Sequence, residues 1–252
     1  MRSGGYFKVA LISSFIFALL CSPIVIGTPG LGVALAAVEQ PPGPESPSNG
    51  QSVNDPYESS NRKVFDFNDS VYFHVLKPVA VFYAYCLPLD FRTGLKNGFH
   101  NLVFPARVVN CLLQGKVDKA GIEIVRFVIN STTGLVGFID IAQANFKLAG
   151  YDADFGQTLA LWGVGSGPYL VIPLLGPSNE RDFLGFGVDS VMDPLFWLPI
   201  DWWVSFTAQT GKFINRTSLE IGQYEDLKKA SLDPYVAVRD GYMQYREHFI
   251  SK

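Results

Sequence analysis

The chain has 252 residues, of which 48% are hydrophobic and 17% charged, with a formal net charge of −3. Soluble domains carry about 25% charged residues, so this composition lies between soluble globular and membrane-embedded. A mildly acidic chain offers no basic face for nucleic acid, which is excluded as a partner.

Residues 1–36 read as a secretory signal segment. Arg2 and Lys8 flank the start of an apolar run from Val9 to Ile26, and Ala34-Leu35-Ala36 provides a small-residue cleavage site with Ala37 as the mature start. An uncleaved anchor is the alternative. Cys21 follows Leu20, where lipoprotein processing calls for a small residue, so lipidation at Cys21 is not expected. Residues 37–54 are rich in Pro, Gly and Ser and form a linker. The folded domain spans 55–252.

Within the domain the pattern is helical. The first predicted helix covers Asn61–Leu76 and is stopped by Pro78. A second covers Pro105–Gln114, with proline in its opening turn and Gly115 just past its end. Further helices are predicted over Val117–Asn130, Arg181–Met192 and Phe213–Lys229. The last opens at Asp233-Pro234 and carries an apolar stripe of Tyr235, Val238, Tyr242, Tyr245 and Phe249. No alternating run predicts a strand, so the fold class is all-α. Cys86 and Cys111 both lie in apolar surroundings, and their spacing leaves a disulfide open.

Two helices have narrow polar stripes on otherwise apolar surfaces. One stripe is Arg107, Asn110 and Gln114; the other is Lys119, Glu123, Arg126 and Asn130. This ratio fits a helix deep in a core, or one facing lipid outside and a wet cavity inside.

Between Asp154 and Glu180 lie 25 residues without a charge, long enough to span a bilayer as a helix. Gly156, Gly163, Gly165, Gly167 and Gly176 with Pro168, Pro173 and Pro177 forbid a regular helix. Broken backbone at membrane depth must find its hydrogen bonds in protein or in a wet cavity. Nearby, PLFWLPIDWW (Pro194 to Trp203) contains Trp197, Trp202 and Trp203, a residue type that favours the membrane–water interface.

Catalytic patterns fail. His74, His100 and His248 fall in separate elements without metal-ligand spacing. The run Gly163 to Gly167 lacks the Lys-Ser/Thr ending of a phosphate loop. No nucleophile, base and orienting group come together. The expectation is a non-enzyme with no metal and no cofactor. Asp189 and Asp193 lie one helical turn apart, and Asp193, before Pro194, is read as a helix end.

Several segments in fixed order resemble the MlaA/VacJ family. These are DPYESSNRKVFDFND (Asp55 to Asp69), RVVNCLLQGKVDKAGIEIVRFVINSTTGLVGFIDIA (Arg107 to Ala142), DFGQTLALWGVGSGPYLVIPLLGPSNERD (Asp154 to Asp182) and LDPYVAVRDGYMQYREHF (Leu232 to Phe249). The resemblance implies a ring-like, all-helical, membrane-embedded domain with a central polar channel, set in the periplasmic leaflet of the outer membrane. It implies removal of mislocalised phospholipids from the outer leaflet, transfer to a periplasmic lipid carrier, and association with a trimeric porin. On that reading Arg107, Asn110, Glu123, Arg126 and Asn130 line the lipid path. Gly163, Gly165, Gly167, Arg181 and Asp182 form a gating or hinge loop, and Trp197, Trp202 and Trp203 mark the interface. A soluble periplasmic carrier and a non-transporting porin scaffold are the competing readings.

Overall fold

A computed structural model of the chain describes residues 53–197 and 201–251. The signal segment with Cys21, nearly all of the linker and the side chain of Trp202 lie outside the described residues.

Among the described residues the fold is predominantly helical. Helix α1 (Glu58–Val71) runs through a π-helical turn, Tyr72–Leu76, into α2 (Lys77–Cys86). Pro78 therefore does not stop the first helix, contrary to the sequence expectation. Proline clashes with the carbonyl four residues earlier. The π turn ahead of it widens the ladder, with Lys77 N–H donating to the Tyr72 carbonyl five residues back, and the helix continues. Helix α3 (Leu89–Leu102), not anticipated from the sequence, turns away from this long element by 113°. Among the described residues no single helix is long and apolar enough to cross a membrane.

Helices α4 (Phe104–Leu113) and α5 (Val117–Thr132) form an antiparallel pair, followed by the short α6 (Ile141–Phe146) and α7 (Phe155–Leu161). The broken apolar segment then folds as an antiparallel hairpin, β1 (Tyr169–Ile172) and β2 (Gly176–Asn179). This overturns the expectation of no strand. Four-residue strands are too short to display an alternating pattern, and β2 is buried on both faces. The hairpin is held by two asparagines on one face of α1. Asn61 donates to the Tyr169 carbonyl and accepts from Val171 N–H, both at 3.0 Å. Asn68 accepts from Leu174 N–H at 2.7 Å, holding that residue at a φ of +64° in the turn.

Helix α8 (Glu180–Met192), capped by Asn179, packs along α7. The close approach is possible because two glycines meet, since a Cβ on Gly185 would lie 2.4 Å from the Gly156 nitrogen. Asp193 ends α8, as its place before proline predicts. After α9 (Pro194–Trp197) come α10 (Trp202–Leu219), α11 (Gln223–Ala230) and α12 (Pro234–Ser251). The single helix expected over Phe213–Lys229 is two, broken at Gly222, whose φ of +101° no helix accommodates. The stripe on α12 buries Tyr235, Val238 and Tyr242 against Tyr169, Val171 and the Tyr72–Tyr224 cluster. Cys86 is exposed, Cys111 is buried, and both are free thiols.

Helix α5 is inverted relative to a soluble surface helix. Glu123, Arg126 and Asn130 are buried, while Ile124, Val125 and Val128 are exposed, Val128 at 53%. Exposed apolar residues continue onto α4 (Val109, Leu112) and the turn after α5 (Leu135, Val136). Exposed apolar residues grouped in this way are characteristic of surfaces that meet lipid or protein.

Candidate functional site

A cavity of ≈ 490 Å³ is lined on one side by Ala106 and Arg107 of α4. Its walls come from elements far apart in sequence: α3, α4, the loop before α7, the hairpin, α8, α10 and α12. Charged side chains of both signs line it alongside Phe99, Phe183 and Phe186.

The wall between α7, α8 and α12 is built around Arg246. Its guanidinium reaches Asp154 Oδ2 at 2.5 Å and Oδ1 at 3.0 Å, and Asp182 Oδ1 at 3.0 Å. Nε lies 2.8 Å from Asp182 Oδ2 as an ion-pair contact rather than an aligned hydrogen bond. Asp182 also accepts from Tyr242 Oη at 2.8 Å and pairs with Arg181 at 3.0 Å. Burial pushes the Asp182 carboxyl up, but Arg246 and Arg181 outweigh it and leave the group below its ordinary value.

Asp189 sits on the same wall in a different state. It accepts from Asn110 Nδ2 at 2.8 Å and from Phe155 N–H at 2.9 Å. Burial, with the neighbouring Asp154 charge, pushes it up to about 7. Across the cavity, His100 contacts Asp152 at 3.1 Å, and burial lowers the Lys212 ammonium below its ordinary value.

The sequence-predicted path residues separate into two groups. Arg107 lines the cavity, donating to Glu123 at 2.8 Å and to the His100 carbonyl at 2.6 Å. Asn110, Glu123, Arg126 and Asn130 lie behind the wall in a buried polar network. Glu123 accepts from Tyr151 N–H at 2.8 Å. Arg126 holds Asp140 at 2.8 Å and donates to the Leu148 carbonyl. Asn130 donates to Asp140 and accepts from Ala142 N–H, both at 2.9 Å. These contacts pin the loops that flank α6 to α5 and so set the position of the cavity wall before α7.

In the expected gating loop, Gly163 and Gly167 adopt positive φ of +88° and +67°, and a Cβ on Gly167 would meet the Glu180 side chain at 2.8 Å. Gly165 has open space around it. Arg181 and Asp182 are buried in the Arg246 cluster, with Asp182 on the cavity. Trp197 and Trp203 are exposed, at 69% and 55%. Cavity residues the sequence reading missed include Lys96, His100, Asp152, Lys212 and Arg246. Only Arg246, one turn beyond Tyr242 on the predicted stripe of α12, carried a usable signal: a charge at an apolar position. No group of His, Cys, Asp and Glu among the described residues could hold a metal ion.

Comparison with known proteins gives a consistent result. The family model described as MlaA lipoprotein matches residues 53–249. Proteins named intermembrane phospholipid transport system lipoprotein MlaA from Shigella flexneri and Escherichia coli K12 are each 37% identical over 204 residues, 80% of this chain and 80% of theirs. The protein of that name from Haemophilus influenzae is 32% identical over 197 residues, 76% of this chain and 77% of its own. A solved structure concerned with maintenance of bacterial outer membrane lipid asymmetry superposes with a TM-score of 0.68 at 35% identity. It covers 78% of this chain and 98% of its own. With a family match across the whole described domain and relatives above 30% identity over most of both chains, this chain belongs to the MlaA lipoprotein family.

Proposed function

We propose that the protein removes mislocalised phospholipid from the outer leaflet of the outer membrane and delivers it to a periplasmic carrier. It thereby maintains lipid asymmetry without covalent chemistry. The observation that carries this reading is a charged cavity whose wall is backed by an inverted helix, α5, apolar outward and polar inward. Polar groups inside a lipid-facing shell are costly unless they face a wet interior or one another. A volume of ≈ 490 Å³ falls in the range of about 300–1,000 Å³ typical of small-molecule sites. It accommodates a polar head group and leaves the acyl chains in the surrounding lipid.

In this account Arg107 contacts the path directly, while Asn110, Glu123, Arg126 and Asn130 hold its wall in place. The glycines at 163, 165 and 167 let the segment beside the mouth move, with Arg181 and Asp182 as its anchored end. Trp197 and Trp203 sit at the membrane interface, in the periplasmic leaflet. A trimeric porin and a soluble lipid carrier are the protein partners the family membership implies.

The test is to fill the cavity. Ala153→Trp places a large ring in the lumen, since Ala153 lines it. Cells carrying this variant at normal abundance should accumulate outer-leaflet phospholipid, measured by an impermeant amine-reactive label. Unchanged labelling would remove the cavity from the path.

A further inference from the structure

Most charges lining the cavity are committed to partners. Arg246 holds Asp154 and Asp182, Arg107 holds Glu123, His100 contacts Asp152, and Arg216 holds Glu220. Four cavity-lining groups make no salt bridge among the described residues: Lys96, which is exposed and keeps its hydration, and Lys212, Asp189 and Asp193, which lie deeper. Asp193 is 8% exposed and accepts one backbone hydrogen bond, from Leu195 N–H at 2.9 Å. Asp189 accepts two neutral donors and faces no cation of its own. Charges removed from bulk water are costly until they are paired. Asp193 attracts the Lys212 ammonium without closing to a salt bridge, so the cavity keeps a partly unmet demand for a cation on the α8 side and for an anion at Lys212 on α10.

We infer that the cavity selects a zwitterionic head group, with Asp189 and Asp193 holding its amine and Lys212 its phosphate. A purely anionic head group meets Lys212 but brings its charge toward two carboxylates. A zwitterion satisfies both signs and adds no net charge to the cavity. The carboxylates are thus the specificity determinants, and Lys212 is common to any phosphate-bearing lipid. This inference rests on the phospholipid-passage reading above.

The experiment titrates the full chain in detergent micelles with water-soluble dihexanoyl-phosphatidylethanolamine and dihexanoyl-phosphatidylglycerol at pH 8, binding being read by native mass spectrometry. The wild type should favour the zwitterionic lipid by roughly tenfold, the scale of one charge-assisted hydrogen bond. Asp189→Asn and Asp193→Asn should bring the two lipids close to parity, and Lys212→Gln should weaken both. Asp193→Asn retains the oxygen that accepts from Leu195 and decides the matter if Asp189→Asn disturbs its two donors. Equal binding of both lipids by the wild type, or a preference untouched by both aspartate variants, overturns the inference and leaves the passage reading standing. Binding of neither lipid removes the passage reading and this inference with it.

Discussion

Replacing Arg246 with Met tests how the C-terminal helix holds the cavity wall. The substitution keeps most of the side-chain length and deletes four short contacts, of 2.5, 3.0, 3.0 and 2.8 Å, to two carboxylates. Asp182 is left 8% exposed with only Arg181 as its cation, while Asp154, at 33% exposure, recovers some hydration. Removing one partner of a buried ion pair costs about 3–5 kcal/mol, and the partial exposure of Asp154 argues for the lower end. Domains of this size lose about 2–4 °C in melting temperature per kcal/mol, so a fall of roughly 6–12 °C is expected. Thermal unfolding followed by circular dichroism in a fixed detergent, at a single scan rate, reads this directly. Adding Asp182→Asn to Arg246→Met should recover part of the loss by removing the stranded charge. A fall of under about 2 °C, or no recovery in the double variant, would refute the reasoning that the cluster is a paired unit.

Three further outcomes are expected. Gly185→Val should destabilise by about 1–3 kcal/mol in denaturant titration, because its Cβ would lie 2.4 Å from the Gly156 backbone; a neutral result would show that α7 and α8 separate freely. Asp189 is pushed up to about 7 from an unfolded value of about 3.9, so the folded chain holds a proton that the unfolded chain has released between those values. Stability should therefore fall as pH rises through that window. Other carboxylates of the chain ionise near the same window, so the readout is the difference from Asp189→Asn, whose curve should be flatter there; parallel curves would contradict the assignment. In a Cys21→Ser background without reductant, maleimide should modify Cys86 in the native protein and Cys111 only after denaturation, since Cys86 is exposed and burial pushes the Cys111 thiol up. Loss of both thiols would indicate a disulfide.

The helices were legible where local chemistry acts alone. Pro105, Gly115 and Asp233-Pro234 mark ends through backbone geometry, and Tyr235, Val238 and Tyr242 mark a buried face by spacing. Pro78 misled because a π turn upstream relieved its clash, which no local rule foresees. The hairpin was hidden because its order comes from Asn61 and Asn68, more than 100 positions earlier in the chain. The same limit applied to the site. The polar stripe of α5 announced buried polar residues but not their partners, and Asp140, Leu148 and Tyr151 claim most of them. Lys212 carried no local signal, and the one-turn spacing of Asp189 and Asp193 did not reveal their surroundings, because these arise from elements converging from distant parts of the sequence.

If the cavity is the lipid path, phospholipid head groups enter it. A photo-crosslinking amino acid at Phe186, which lines the cavity, and another at Val125, exposed on the outer face of α5, separate passage from mere surrounding. Phospholipid adducts are expected from both positions in native membranes, with the Phe186 adduct lost when Ala153→Trp fills the lumen. Adducts at Val125 with none at Phe186 would contradict head-group entry.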